Sequence, residues 1–202
     1  MKTIIVGHGP SLEGQGLGEW IDSFDNVVRL KRAEYLIRTN PKDYGVKTDY
    51  LCASTEVLGC FKTIKVHEFW GYPKRGWYDE NAVEAAKKEL NAYLWIPLNL
   101  CNTWNAKFRN LGAKHPNVST GMASIVMALE RFRPETLQIA GFDTLFNPEL
   151  PFTRAELPRT GTGAINHDWI KENQLLTMLR DFYKVSFETN INRTNEGNLK
   201  YG

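Results

Sequence analysis

The sequence predicts an α/β fold, a mostly parallel sheet flanked by helices, as a single domain over residues 1–202. Short β-branched runs alternate along the chain with segments whose apolar residues recur at helical spacing. Two of the runs stop at a glycine, Gly7 and Gly141, as a buried strand does where it meets a tight loop. A chain of 202 residues also has the size of one ordinary domain.

Thr3 to Val6 is the first expected strand. Leu17, Trp20, Ile21 and Phe24 follow at helical spacing, and Asn26 to Leu30 reads as the second strand. Asp49 to Ala53 is expected as a third strand and Phe61 to Val66 as an alternating edge strand. Asp79 to Leu94, rich in Ala, Glu and Lys, reads as an exposed helix. Gly121 to Phe132 carries Met122, Ile125, Val126 and Leu129 on one stripe, and Pro134 ends that helix. Thr136 to Ala140 is a strand. Leu145 to Asn166 contains three Pro and two Gly, so it reads as a loop long enough to be a lid. Asp168 to Tyr183 is a helix and Val185 to Glu188 a last short strand. In such sheets ligands bind beyond the carboxyl ends of the strands. The loops that begin at Gly7, Leu30, Ala53 and Gly141 are therefore the ones to watch.

Hydrophobic residues make up 42% and charged residues 24% of the chain, which excludes disorder, collagen and coiled coil as descriptions of the whole. No apolar run approaches the ~20 residues of a membrane span, and the N-terminus lacks a signal-peptide core. A cytoplasmic location follows as an expectation. With 25 basic and 23 acidic residues the net charge of +2 neither requires nor excludes nucleic acid. The cysteines, Cys52, Cys60 and Cys101, lack the spacing of a disulfide framework or a zinc site. No metal and no cofactor is expected.

Three segments carry candidate chemistry. Gly7-His8-Gly9-Pro10-Ser11 follows the first strand, and its glycines allow close backbone approach to a ligand. The Ser11 hydroxyl and the turn amides could hold a phosphate, or the segment could be a plain turn. It is neither a full dinucleotide fingerprint nor a P-loop. Val118-Ser119-Thr120-Gly121 opens the apolar helix; either hydroxyl could cap it, or the pair could bind a polar ligand with the free amides. His167 to Glu172 follows the long loop; His167 could be a surface residue near a helix start, as a lone His more often is, or, neutral and at the end of such a loop, could take a proton from a substrate hydroxyl.

Together these segments resemble the sialyltransferases. IIVGHGPSL and IDSFDNVVRLKR are similar to the large donor-binding motif of the animal-type family. NVSTGMASIVMALERFRPETLQIAGFD is similar to its small motif, and His167 with Glu172 matches the spacing of its very short motif. The GxGPSL turn and Leu175 to Phe187 also resemble the bacterial sialyltransferase family. The matches run in order from Ile4 to Phe187, with Thr55 to Lys114 matching poorly.

The resemblance implies a GT-A-like sheet and an inverting, metal-independent transfer from a nucleotide sugar. His167 would be the general base; Glu172 could orient its ring or only complete the charge pattern of the helix's first turn. His8, Gly9, Pro10, Ser11, Arg29, Lys31, Ser54, Ser119, Thr120, Gly121 and Asp143 would line the donor site. Both families usually place Asn at the positions of His8 and Lys31, and the bacterial family uses loop tyrosines where this chain offers Arg154 and Arg159. More positive charge suits a diphosphate, so the expected donor is a nucleoside-diphosphate sugar, such as a UDP-sugar, rather than CMP-sialic acid. The expected acceptor is a cytosolic glycan or a hydroxymethylated base in phage DNA. Trp70, Trp77, Trp95 and Trp104, among Lys74, Arg75, Lys107 and Arg109, could form a stacking surface for DNA, although core burial is the reading the sequence favours. The competing readings are a nucleotide- or pterin-phosphate-binding protein or pyrophosphokinase-like enzyme that shares only the GxGPSL turn, and a DNA-binding accessory protein with a decayed site.

Overall fold

The computed structural model describes residues 1–31, 33–54, 66–72, 93–146 and 167–190. Seven strands among these residues form one sheet: β1 (Thr3–Val6), β2 (Asn26–Leu30), β3 (Tyr50–Ser54), β4 (Glu68–Tyr72), β5 (Tyr93–Trp95), β6 (Thr136–Ala140) and β7 (Ser186–Thr189). Their order is β5-β4-β3-β2-β1-β6-β7 and every pairing is parallel. Parallel strands are covered on both faces, and every residue of β1 and β2 is buried, including Asn26 and Arg29 of β2.

Successive side chains go to opposite faces. Ile5, Val28, Leu30, Cys52, Leu137 and Ile139 meet α4 (Leu98–Asn110), α5 (Thr120–Phe132) and α7 (Trp169–Tyr183). Ile4, Val6, Val27 and Ala140 meet α1 (Gly18–Asp22), α2 (Ala33–Thr39) and α3 (Pro41–Tyr44) through Ile21, Leu36 and Tyr44. A short helix, α6 (Asp143–Phe146), follows β6.

The expected β1, β2 and β6 agree with the structure residue for residue. The third strand starts one residue later than expected because the Asp49 side chain accepts the Val27 amide at 2.8 Å, at the edge of the ladder. β4 and α4 were not expected. Most of the expected 79–94 helix lies outside the described residues, and Tyr93 and Leu94, its last two, are in strand β5. The expected strand at 61–66 also falls outside them, except for Val66. Of the expected loop, Leu145 and Phe146 belong to α6, and 147–166 lies outside the described residues. Trp70 and Trp104 are core side chains, 0% and 3% exposed, which is the reading the sequence favours over a stacking surface. Lys107 lies over the Trp104 ring at 5.5 Å, and Arg109 donates to the Pro116 carbonyl at 3.0 Å. Lys74, Arg75 and Trp77 lie outside the described residues.

Candidate functional site

The chain runs outward from β1 to β5 and then returns to β6 on the other side of β1. Loops leaving β1 and β6 therefore diverge, and the crevice between them is where open parallel sheets bind ligands. Here the two loops are tied together. The Gly9 amide donates to the Gly141 carbonyl at 2.8 Å, and the Ser11 amide donates to Asp143 Oδ2 at 2.8 Å. The Ser11 hydroxyl donates to Asp143 Oδ1. Gly9 must be glycine for reasons of space: a Cβ there would lie 2.5 Å from the Asp143 Cγ. At Gly7 a Cβ would lie 2.3 Å from the Gly141 carbonyl oxygen. Burial raises the Asp143 pKa, against the opposing pull of the Ser11 donors.

This geometry corrects one expectation. The Ser11 hydroxyl and the Gly7, Gly9 and Ser11 amides are already committed within the protein and not turned to a phosphate. Gly7 N–H donates to Ala140 O at 2.8 Å, and the Gly9 and Ser11 amides are committed as described. The reason is topological: β1 and β6 are sheet neighbours, so their turns satisfy each other first. Asp143 likewise spends both oxygens on Ser11. Pro10 opens a single 3-10 turn over Pro10–Leu12, and His8 stands half-buried between the two glycines.

The second segment behaves differently. Ser119 is the N-cap of α5, and its Oγ accepts the Met122 amide at 3.0 Å. Its own amide donates to Glu172 Oε1 at 2.6 Å and its hydroxyl to Glu172 Oε2 at 2.7 Å. The preceding residue is held as well: Val118 N–H donates to Asn105 Oδ1 at 2.9 Å, and Tyr72 Oη donates to Val118 O at 3.2 Å. Thr120 and Gly121 are then the first helical residues, whose amides have no partner within the helix and sit at its positive end. A Cβ on Gly121 would come within 2.7 Å of the Phe142 ring, so this helix start packs directly against the β6 turn.

Glu172, 1% exposed, links this helix start to His167. His167 Nδ1 lies 3.8 Å from Glu172 Oε1, an electrostatic contact longer than a hydrogen bond. The imidazole packs on Trp169 with ring centroids 4.6 Å apart. Asp168 caps α7 by accepting the Lys171 amide at 3.2 Å. The His-to-Glu spacing thus spans the first turn of a helix whose start abuts that of α5.

Ser54 ends β3 on the same face as Cys52, whose Sγ contacts the Thr120 carbonyl at 3.9 Å. The Ser54 residue is fully buried and its Oγ has no hydrogen-bond partner among the described residues, which fits a hydroxyl kept for a ligand near the α5 start. Lys31 follows β2, and its amide donates to Cys52 O at 3.1 Å. Arg29 is a correction. Its guanidinium is 1% exposed, donates through Nε to the Lys47 carbonyl at 2.8 Å and lies 3.7 Å from Asp22. Those partners precede β3 and β2, so Arg29 reaches toward the amino ends of the strands, away from the crevice. Burial pushes its pKa down to about 10, against the raising effect of Asp22 and Asp49. Arg154 and Arg159 lie outside the described residues. The residues that sequence reasoning missed are Asn105 and Asn190, since a lone Asn in a helix or after a short strand carries no pattern.

No family model matches the chain, and no curated protein matches it. Solved structures do. A mammalian sialyltransferase, solved alone and in complex with Gal-beta-1-3GalNAc-ortho-nitrophenol, superposes with a TM-score of 0.63 at 17% identity, over 93% of this chain and 68% of that one. The sialyltransferase CST-II, in complex with a trisaccharide acceptor and CMP, superposes with a TM-score of 0.63 at 15% identity, over 94% of this chain and 80% of that one. The chain has the sialyltransferase fold. On a sialyltransferase fold, the β1 turn, the α5 start and His167 stand together at the carboxyl end of one sheet.

Proposed function

We propose that the protein is a glycosyltransferase that moves a sugar, with inversion, from a nucleotide-sugar donor to an acceptor hydroxyl, using His167 as general base and no metal or other cofactor. The observation that carries this reading is the chain of contacts from His167 through buried Glu172 to the Ser119 cap of α5. It sets a base beside a helix start suited to phosphate. One protein of the same fold was solved with CMP and a trisaccharide acceptor, an occupancy consistent with this assignment.

The donor phosphate approaches the Thr120 and Gly121 amides, with the Ser54 hydroxyl as a further donor. The carboxylate of Glu172 favours a proton on His167 Nδ1, which leaves Nε2 as the basic atom. Nε2 takes the proton of the acceptor hydroxyl as its oxygen bonds to the anomeric carbon. The bond from that carbon to the phosphate oxygen breaks on the opposite face. His8 and Lys31, at the ends of β1 and β2, favour a diphosphate leaving group, so a nucleoside-diphosphate sugar is the proposed donor, with Arg154 and Arg159 as further phosphate contacts. The proposed acceptor is a glycan hydroxyl met in the cytoplasm. A DNA acceptor has less support, because two of the four tryptophans that suggested it are core.

A thermal-shift panel of CMP, CDP, UMP, UDP, GDP and CMP-sialic acid tests the donor. Selective stabilisation by a diphosphate is expected. Stabilisation by CMP and CMP-sialic acid alone would overturn the diphosphate assignment, and no stabilisation by any of them would overturn the transferase reading. His167→Ala should lower turnover by about 10²–10⁴-fold while leaving nucleotide affinity intact; near-full turnover would remove His167 from the mechanism.

A further inference from the structure

We infer that Asn190 is a positioning residue that bolts the two loops of the crevice together from the far end of the chain. Asn190 follows β7 and is 2% exposed. Its Nδ2 donates to the Ser11 Oγ at 3.1 Å and reaches the Ser11 carbonyl at 3.5 Å. Its Oδ1 accepts the Gly141 amide at 3.2 Å. The orientation of the side chain is fixed by these partners: the flipped amide would set a donor against the Gly141 N–H.

One side chain thus joins the β1 turn to the β6 turn, beside the Asp143 contacts that do the same. The roles are complementary. Asp143 accepts from Ser11 and cannot donate, whereas Asn190 donates to Ser11 and accepts from Gly141. The Ser11 hydroxyl, with its proton on Asp143 and one lone pair on Asn190, has its direction set by the two together. Gly141 has a φ of +68°, so the β6 turn is held in a left-handed conformation at the residue whose N–H Asn190 takes. Without Asn190 that buried amide lacks its acceptor, and the β6 turn is free to drift from the α5 start that packs against Phe142.

The test uses Asn190→Ala beside Glu188→Ala. Glu188 lies on β7, where it accepts from Gln138, and touches neither turn, so it reports loss of strand stability alone. Amide hydrogen exchange at Gly9 and Ser11, neither of whose N–H groups bonds to Asn190, should accelerate about tenfold in Asn190→Ala and not in Glu188→Ala, the factor expected for one lost buried hydrogen bond. Nucleotide affinity, measured well below the unfolding temperature, should weaken by a similar factor only in Asn190→Ala. Asn190→Asp, which keeps the Gly141 acceptor but faces Ser11 with a second acceptor, should not restore either value. Unchanged exchange at Gly9 and Ser11, or equal acceleration in both variants, would overturn the bolt. The affinity arm rests on the function proposed above: if the wild-type protein binds no nucleotide, that function fails, and the exchange arm still decides the role of Asn190.

Discussion

Two carboxylates grip neighbouring stretches of the same loop. Asp143 takes the amide and hydroxyl of Ser11, and Asp43 takes the amides of Gly14 at 2.6 Å and Gly16 at 2.7 Å. Their titrations shift in opposite directions. Burial is the largest influence on both and pushes both upward. At Asp43 it is outweighed by the Gly16 and Gly14 amides, the Asn40 side chain and the Lys42 charge, and the pKa falls. At Asp143 burial prevails and the pKa rises. Both carboxylates are buried, so what separates them is the balance between burial and partners: Asp43 sets two turn amides, an amide side chain and the Lys42 charge against its burial, and Asp143 has no cation among the groups that oppose its burial. The anchor whose charge is penalised is the one at the crevice.

The comparison is broken most severely by filling the space each turn depends on. Gly9→Ala would drive a methyl into the Asp143 carboxylate and should cost about 1–3 kcal/mol or more, as overpacking does, with nucleotide stabilisation lost. Gly14→Ala meets open space and should cost only the ~1–2 kcal/mol of its left-handed φ of +70°. Chemical denaturation of the two variants would show whether the first turn is the tighter one; equal losses would mean that Asp143 simply moves aside.

Removing each charge sharpens the contrast. At neutral pH Asp43→Asn should be the more destabilising of the two neutralising changes, by about 1–3 kcal/mol, because it gives up a favoured charge while Asp143→Asn relieves a penalised one. The pH dependence follows with opposite signs. The folded pKa of Asp43 lies below its unfolded value of ~3.9, so its contribution is present above pH ~4 and lost as pH falls through the folded pKa. The folded pKa of Asp143 lies above the unfolded value, so its contribution is full below pH ~4 and lost as pH rises through the folded pKa. Urea midpoints from pH 3 upward should show the wild-type advantage over Asp43→Asn growing with pH, and that over Asp143→Asn shrinking. Parallel profiles would contradict the opposite directions of the two shifts.

The smallest effect is expected at Gly121→Ala. Its new Cβ meets the end of the Phe142 ring, which can turn, and alanine regains up to ~1 kcal/mol of helix propensity. Stability should therefore change by under about 1 kcal/mol, and a large loss would show that the α5 start has no slack against the β6 turn.

Sequence reading was strongest for short strands rich in aliphatic residues and buried on both faces, as in Thr3–Val6, Asn26–Leu30 and Thr136–Ala140. It failed at Glu68–Tyr72, where a glycine and a leading charge hide a central strand. It also failed at Leu98–Asn110, where Asn and Thr dilute the helical stripe formed by Cys101, Trp104 and Phe108. Of the crevice, the Gly-rich turn, the Ser119 cap and the His167–Glu172 pair were legible because each is local. That Asp143 holds Ser11, and that Asn190 joins them, was not, because no local pattern records a contact across 132 or 179 residues. Arg29 was misplaced for a related reason: a strand residue's face is legible, but not which end of the sheet a long side chain turns toward.

Those separations also govern when the crevice can exist. A chain emerging from the ribosome completes β1, its turn and β2 early, yet Ser11 waits for Asp143 to pair and for Asn190 to close the arrangement. Contacts this distant in sequence form slowly. A nascent or truncated chain that stops before Asn190 has the glycine turn but lacks the hydrogen bonds that Asn190 makes to Ser11 and Gly141, so the crevice takes its described form only after nearly the whole described chain has been made.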